Sequence, residues 1–205
     1  MPHALETPDL GLYAYMLFGS MAAFAAFGWL LGREQERLER LAMLDELTGL
    51  ANNRLFKRCM DECASSSART GKPLSLMLVD LDHFKNINDT YGHQAGDLAL
   101  KTAAMVLRRC VRNCDVAARV GGEEFAVILP HTATLEAAKA ASRLLERLRA
   151  TRVSLPDGRS IGLSASIGLA GGLSGQDESP TELFALADKA LYQAKAEGRD
   201  RLVVA

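Results

Sequence analysis

Between Leu10 and Gly32 the chain runs for 23 residues without an Asp, Glu, Lys, Arg or His, and 18 of the 23 are hydrophobic. As a helix rising 1.5 Å per residue the stretch would be about 34 Å long, against a hydrocarbon core of roughly 30 Å. Tyr13, Tyr15 and Trp29 lie towards its ends, where amphipathic rings favour the membrane–water interface. Gly19, Ser20, Ala22, Ala23, Ala25 and Ala26 are small enough to let two such helices approach closely. A cleavable signal peptide is the poorer reading, because residues 1–9 hold no Lys or Arg and the apolar run exceeds a usual h-region. A buried core helix is disfavoured too, since such helices seldom go uncharged for this long. The expectation is one transmembrane helix at 10–32.

Flanking charge orients it. Residues 1–9 carry Glu6 and Asp9, whereas Arg33, Arg37 and Arg40 follow the apolar run. The positive-inside rule leaves 1–9 as a short extracytoplasmic terminus and sends the rest into the cytoplasm. The localisation expected is a single-pass membrane protein with the C-terminal domain in the cytoplasm. Cys59, Cys63, Cys110 and Cys114 then sit in a reducing compartment and read as free, partly buried thiols.

Outside the apolar run the composition is that of a soluble domain. The 24 Lys and Arg nearly balance the 25 Asp and Glu, which gives no electrostatic argument for a nucleic-acid partner. Residues 33–47 follow as a helical linker, with Leu38, Leu41 and Leu44 on one side; a short dimeric coiled coil and a helix packed on its own domain are both open. Helix patterns at 53–68, 95–111 and 135–149 then alternate with strand patterns at 74–81, 116–119, 125–129, 153–155, 161–169 and 202–204. Gly121-Gly122 and Asp157-Gly158 are hairpin signals, and Ser179-Pro180-Thr181-Glu182 is a capping box opening a last helix to about Glu197. Helices interleaved with hairpins imply an α+β domain with helices on the faces of an antiparallel or mixed sheet.

Some of these residues carry chemistry. Asp80 ends an apolar strand, where a carboxylate is costly unless it meets a cation or hydrogen-bond donors. Glu123 and Glu124 follow the Gly-Gly turn. If the two strands are neighbours, Asp80 and Glu123 meet at one sheet edge, and convergent hard oxygens suit Mg²⁺, which keeps positions for water and phosphate. Lys195 and Arg199 stand four residues apart on the last helix, spaced to neutralise phosphate. Each signal is weak alone; the composite says magnesium and polyphosphate.

RVGGEEF at 119–125 resembles the signature of the GGDEF family, the diguanylate cyclases. DELTGLANNRLF (45–56), DLDHFKNINDTYGHQAGD (80–97), RNCDVAARVGGEEF (112–125) and ADKALYQAKAEGR (187–199) stand in the family's order and at family-like spacing. The resemblance covers 42–205. It implies a central, mostly antiparallel sheet flanked by helices, similar to the nucleotide-cyclase and polymerase palm. It also implies that two GTP, one on each domain of a homodimer, condense to cyclic di-GMP with release of two pyrophosphates.

The resemblance assigns roles to residues. Asp80, Glu123 and the Leu81 carbonyl match the ligands of Mg²⁺, with Mn²⁺ an alternative. Asn88 and Asp97 match the guanine-binding positions. Phe84 and Lys85 fall in the phosphate-binding loop after the first strand, Gly121 and Gly122 form the close-approach turn, and Lys195 and Arg199 match the terminal-phosphate clamp. Glu123 or Glu124 assists deprotonation of the 3′-hydroxyl, and the sequence does not choose between them. Arg112-x-x-Asp115 has the spacing of the family's inhibitory product site, with Arg143 as a third member. Asn52-Asn53-Arg54 departs from the family's usual Asn-Arg-Arg in a mainly structural motif. The rival reading is a catalytically inactive domain that serves as a nucleotide or cyclic di-GMP receptor at the membrane; a third is a scaffold that dimerises partners.

Overall fold

The structure, a computed structural model, describes residues 10–41, 43–173 and 179–205. The chain divides into two compact units, 1–42 and 43–205. In the first, helix α1 spans Leu10–Leu41. Its Tyr13–Leu30 stretch is long and apolar enough to cross a membrane, and none of it is buried. Ser20 donates its hydroxyl to the Met16 carbonyl at 2.7 Å, so the polar side chain in this stretch is satisfied within the helix. The Arg33 guanidinium lies 4.7 Å from the centre of the Trp29 ring. Residues 1–9 and the side chains of Leu38 and Leu41 lie outside the described residues. The helical reading of 43–47 does not hold. Helix α1 ends at Leu41, and Leu44 instead bridges to Ala51 across a turn in which Asp45 accepts from Thr48.

The second unit begins with β1 (Ala51–Asn52), α2 (Asn53–Thr70), β2 (Leu74–Leu81), α3 (Phe84–Tyr91) and α4 (His93–Cys110). It continues with β3 (Val116–Arg119), β4 (Glu124–Pro130), α5 (Thr134–Ala150), β5 (Arg152–Ser154), β6 (Ser160–Gly162), β7 (Ala165–Leu173), α6 (Pro180–Ala196) and β8 (Leu202–Val204). Six strands form one sheet in the order β1-β3-β4-β2-β7-β8.

Strand β2 lies at the centre because both its faces are apolar and all eight residues are buried. Leu74, Leu76 and Leu78 pack with Phe56 and Met60 of α2 and Leu183 and Leu191 of α6. Met77, Val79 and Leu81 face the other way, onto Leu100 and Leu107 of α4 and Leu144 and Leu148 of α5.

The sheet is mixed rather than mostly antiparallel. The pairs β3–β4, β4–β2 and β2–β7 are antiparallel, but the outer strands β1 and β8 pair parallel to β3 and β7. The β8 pairing follows from connectivity: α6 crosses back over the sheet, so β7-α6-β8 is a parallel crossover unit. The hairpin expected at Asp157-Gly158 is also divided. Ser160–Gly162 pairs with Arg152–Ser154 as a separate two-stranded ribbon, and the chain then enters the main sheet as β7. At the break the Asp82 amide donates to the Ser164 carbonyl at 3.0 Å, drawing the next residues onto β2.

Helix α6 begins as its capping box requires. The Ser179 hydroxyl accepts from the Glu182 amide at 3.2 Å, and Glu182 accepts from the Ser179 amide at 2.8 Å. It ends with Gly198 at φ 112° and an Arg199 amide that donates back to the Ala194 carbonyl at 3.0 Å, a Schellman-type stop.

Candidate functional site

The carboxyl end of β2 brings together Asp80, Leu81, the Gly121-Gly122-Glu123 turn and Lys195. Asp80 pairs with Glu124 of β4 on one side and with Ser166 of β7 on the other. One step on, the Leu81 amide donates to the Glu123 carbonyl at 3.3 Å. The Gly121-Gly122-Glu123 turn therefore lies directly beside the end of β2, as the adjacency of the two strands required. Glu123 is half-buried and Glu124 is exposed.

Asp80 is 6% exposed, and its Oδ2 accepts from Lys195 Nζ at 2.7 Å. Burial pushes the Asp80 carboxyl above the usual carboxylate range, against the pull of Lys195 and of Arg199, which is also within charge range. The ion pair therefore joins a residue expected to hold metal to one expected to hold phosphate, across 115 residues of sequence. Among the described residues no three His, Cys, Asp or Glu side chains form a metal cage. Two carboxylates and a carbonyl do suit Mg²⁺, which takes its remaining oxygens from water and substrate phosphate.

Phe84 and Lys85, expected in a loop, open helix α3 instead. His83 stands at its N-cap position with φ 55° and gives no side-chain cap. Phe84 is buried in the core and Lys85 is exposed. An uncapped N-terminus leaves backbone N–H groups free to meet an anion, so the change from loop to helix suits a phosphate.

Asn88 on α3 is half-buried, and Asp97 on α4 is exposed. The two helices pack closely because Gly96 lacks a side chain. A Cβ there would run into Asn88 Oδ1 and would stand 3.1 Å from the Phe84 ring.

The Gly-Gly turn is pinned by a residue outside the expected site. Arg119 donates from Nε and Nη2 to the Gly122 carbonyl at 3.0 and 2.7 Å, and its Nη1 reaches Asp45 at 3.3 Å. Asp45 also accepts from the Thr48 hydroxyl at 2.6 Å and the Thr48 amide at 2.9 Å. Burial opposes ionisation of Asp45, but the Thr48 hydrogen bonds and Arg119 outweigh it and hold the carboxyl below its ordinary value. Both residues stand in the quoted motifs; the signal available was that an Arg immediately before a close-approach turn needs an acid partner.

Asp45→Ala should lower stability by about 1–2 kcal/mol, since it removes a partly buried charge partner and a turn acceptor. The sign with pH follows from the lowered value. The Asp45 contribution is fully present above roughly pH 4 and fades as pH falls through the folded-state value. Denaturation of the two proteins should therefore differ at pH 7 and converge in acid; a difference that persists at low pH would remove the charge from the explanation.

The second cluster lies where α4 ends and α5 passes. The Arg112 amide donates to Asp115 Oδ2 at 2.7 Å, and the Asp115 amide donates to the Arg112 carbonyl at 3.1 Å, which closes a tight turn. Arg112 is exposed. Arg143 and Arg147 of α5 both lie within charge range of Cys110, two residues before Arg112. Arg143 thus lies on the side of α5 that faces the end of α4, where the Arg112–Asp115 turn follows, with Arg147 as a third basic group. All four cysteines are free thiols, and burial pushes those of Cys59, Cys63 and Cys110 upward.

Comparison with known proteins places this arrangement. The family model for the diguanylate cyclase GGDEF domain matches residues 42–201. Response regulator PleD of Caulobacter vibrioides is 39% identical over 164 residues, 80% of this chain and 36% of that protein. Diguanylate cyclase DgcP of Pseudomonas aeruginosa is 44% identical over 167 residues, 80% of this chain and 24% of that protein. The chain thus spans about a third or less of these two relatives.

Among solved structures, the GGDEF domain of DgcB from Caulobacter crescentus in complex with c-di-GMP superposes with a TM-score of 0.76. It is 33% identical, with 80% of this chain and 95% of that chain covered. Diguanylate cyclase SiaD from Pseudomonas aeruginosa, in complex with its activator SiaC, gives 0.76 at 29% identity, with 96% and 77% covered. By the family match over 42–201 and these likenesses, the chain belongs to the GGDEF family of diguanylate cyclase domains.

Proposed function

We propose that this protein is a diguanylate cyclase that condenses two GTP into cyclic di-GMP, as a homodimer anchored in the bacterial inner membrane by α1. The observation that carries the reading is the Asp80–Lys195 ion pair beside the Glu123 turn. It puts hard oxygen ligands and a phosphate-seeking cation at one strand end, as polyphosphate chemistry needs. Asp80, Glu123 and the Leu81 carbonyl would hold Mg²⁺, or Mn²⁺ in its place. When bound, the ion supplies Lewis-acid polarisation of the reacting phosphate and charge neutralisation for the leaving pyrophosphate.

The residues of this chain do the rest. Asn88 and Asp97 take the edge of guanine, and a base lacking those groups would leave them unpaired. The N–H groups at the start of α3 and the Lys85 side chain receive phosphate oxygens. Lys195, the counter-charge of Asp80 in the free protein, turns with Arg199 to the terminal phosphates. Glu123 or Glu124 accepts the 3′-hydroxyl proton as that oxygen attacks the α-phosphate held by the opposing domain, and pyrophosphate leaves. One domain brings one GTP, so turnover needs two copies. An inactive receptor at the membrane is the second reading; the signature acids Asp80 and Glu123 and the clamp Lys195 are all retained, which favours the enzyme.

Arg112, Asp115 and Arg143 form an inhibitory site for the product, in which arginine forks meet phosphate and a guanine edge. Arg112→Ala should raise the cyclic di-GMP concentration needed for half-inhibition by about tenfold or more, the loss of roughly 1.4 kcal/mol or more of binding. Initial rates measured against added product check this, and an unchanged inhibition curve would remove the site. Turnover of GTP to cyclic di-GMP separates enzyme from receptor.

A further inference from the structure

Asp82 is a second buried carboxylate, 6% exposed, two residues beyond Asp80, and the phosphate and metal roles above leave it unused. Its Oδ1 accepts from the Ser166 hydroxyl at 2.7 Å, and Ser166 is fully buried. Its Oδ2 accepts from the Asp200 backbone amide at 3.0 Å, 118 residues away. That amide belongs to an uncommon piece of backbone. Gly198, Arg199 and Asp200 follow one another at φ 112°, 63° and 47°, so two side-chain-bearing residues in a row are left-handed. Such a conformation persists only where its surroundings hold it.

The turn's own neighbours contribute, the Arg199 amide to the Ala194 carbonyl at 3.0 Å and Arg201 Nε to the Arg199 carbonyl at 3.2 Å, and two side chains from elsewhere in the fold grip Asp200. From outside, Arg149 of α5 donates to the Asp200 carboxylate at 2.9 Å and to the Asp200 carbonyl at 2.6 Å, with about half of the guanidinium side chain exposed. From inside stands Asp82, shielded from water. The turn carries Arg199, whose guanidinium lies within charge range of Asp80. The stretch 80–82 therefore grips the end of α6 twice. Asp80 takes the Lys195 ammonium, and Asp82 takes the backbone just past Arg199.

We propose that Asp82 is a positioning residue: its buried carboxylate, bonded to Ser166 and to the Asp200 amide, fixes the left-handed turn and so aims Arg199 at the terminal phosphates of the bound nucleotide. The inference rests on the reading of Lys195 and Arg199 as phosphate-binding groups. Asp82 itself touches no substrate. It determines how strongly the site distinguishes a triphosphate from a monophosphate, and has no part in guanine recognition by Asn88 and Asp97.

The test is a nucleotide ladder. Binding of GMP and of a non-hydrolysable GTP analogue is measured by calorimetry on the detergent-solubilised full chain with Mg²⁺, for the wild type, Asp82→Ala, Asp82→Asn, Arg199→Ala and the Asp82→Ala/Arg199→Ala pair. Asp82→Ala should weaken the GTP analogue about tenfold or more while GMP stays within about twofold. Asp82→Asn should keep the wild-type ratio within about threefold, because its amide oxygen still accepts from the Asp200 N–H and its NH₂ donates to the Ser166 hydroxyl. The double variant should be no worse than Arg199→Ala alone, since residues acting through one another do not add.

An equal loss of GMP and GTP analogue, or full additivity in the pair, overturns the proposal. If Arg199→Ala itself leaves the ratio unchanged, the phosphate-clamp reading has failed; if Arg199→Ala collapses the ratio and Asp82→Ala does not, the positioning role alone has failed. Should Asp82→Ala not fold, Asp82→Ser carries the same comparison, its hydroxyl too short to serve both Ser166 and the Asp200 amide.

Discussion

Glu123→Ala is expected to cut the rate of cyclic di-GMP formation by about 10³-fold or more while leaving the melting temperature within a degree or two. The activity loss is the size seen when a preorganised electrostatic partner of the transition state is removed, compounded here by weaker metal retention. The small stability change follows from position. Glu123 lies in the turn, half in solvent, and it is its backbone carbonyl that meets Leu81, so the truncated side chain leaves the strand pairing intact. Glu124→Ala is the natural companion, because Glu124 is exposed yet stands opposite Asp80 across the β2–β4 ladder. Steady-state rates with both variants decide which glutamate is indispensable. Full activity in Glu123→Ala would take it out of the metal site and out of proton transfer together.

The second large effect is structural. Gly168 sits in β7 under α6, and a Cβ there would run into the Ala187 carbonyl and the Leu191 amide, both backbone atoms of the helix. Backbone cannot swing aside as a long side chain can, so Gly168→Ala forces α6 off the sheet. A cost of about 3 kcal/mol is expected, at the upper end for overpacking. For a domain of this size that lowers the melting temperature by roughly 6–12 °C. Because α6 carries Lys195 and leads into Arg199, GTP affinity should fall with it. Calorimetric melting checks the first effect. A variant that melts with the wild type would mean that α6 and β7 are less closely packed than the structure has them.

How much of this was legible in the sequence depends on how local each cause is. The central strand could be read from Leu74–Leu81 because burial on both faces demands an unbroken apolar run. Helix α6 could be read because its start is set by four consecutive residues whose side chains and amides satisfy one another. The Gly-Gly hairpin and the meeting of Asp80 with the Glu123 turn followed once two strands were taken as neighbours.

What was not legible depends on partners far along the chain. The parallel outer strands are two and three residues long, too short to announce their direction. Helix α3, FKNINDTY, is eight residues with an uncapped start after a left-handed His83, and it reads as loop. The division of the Asp157 hairpin comes where the Asp82 amide meets the Ser164 carbonyl, a contact that no turn rule predicts. In the site, residue types and spacing named the acids and bases but not their contacts: Lys195 on Asp80, Arg119 on Asp45, and Asp200 on Asp82 each join segments that only the fold brings together.

The most direct measurement of turnover incubates the detergent-solubilised full chain, freed of bound product and shown to be folded and dimeric, with GTP and Mg²⁺, and follows cyclic di-GMP by chromatography and mass with pyrophosphate by a coupled assay. Both products are expected, two pyrophosphates for each cyclic di-GMP, and none when Mg²⁺ is chelated. A folded dimer that binds GTP but yields neither product would contradict the enzyme reading and leave the receptor reading in its place.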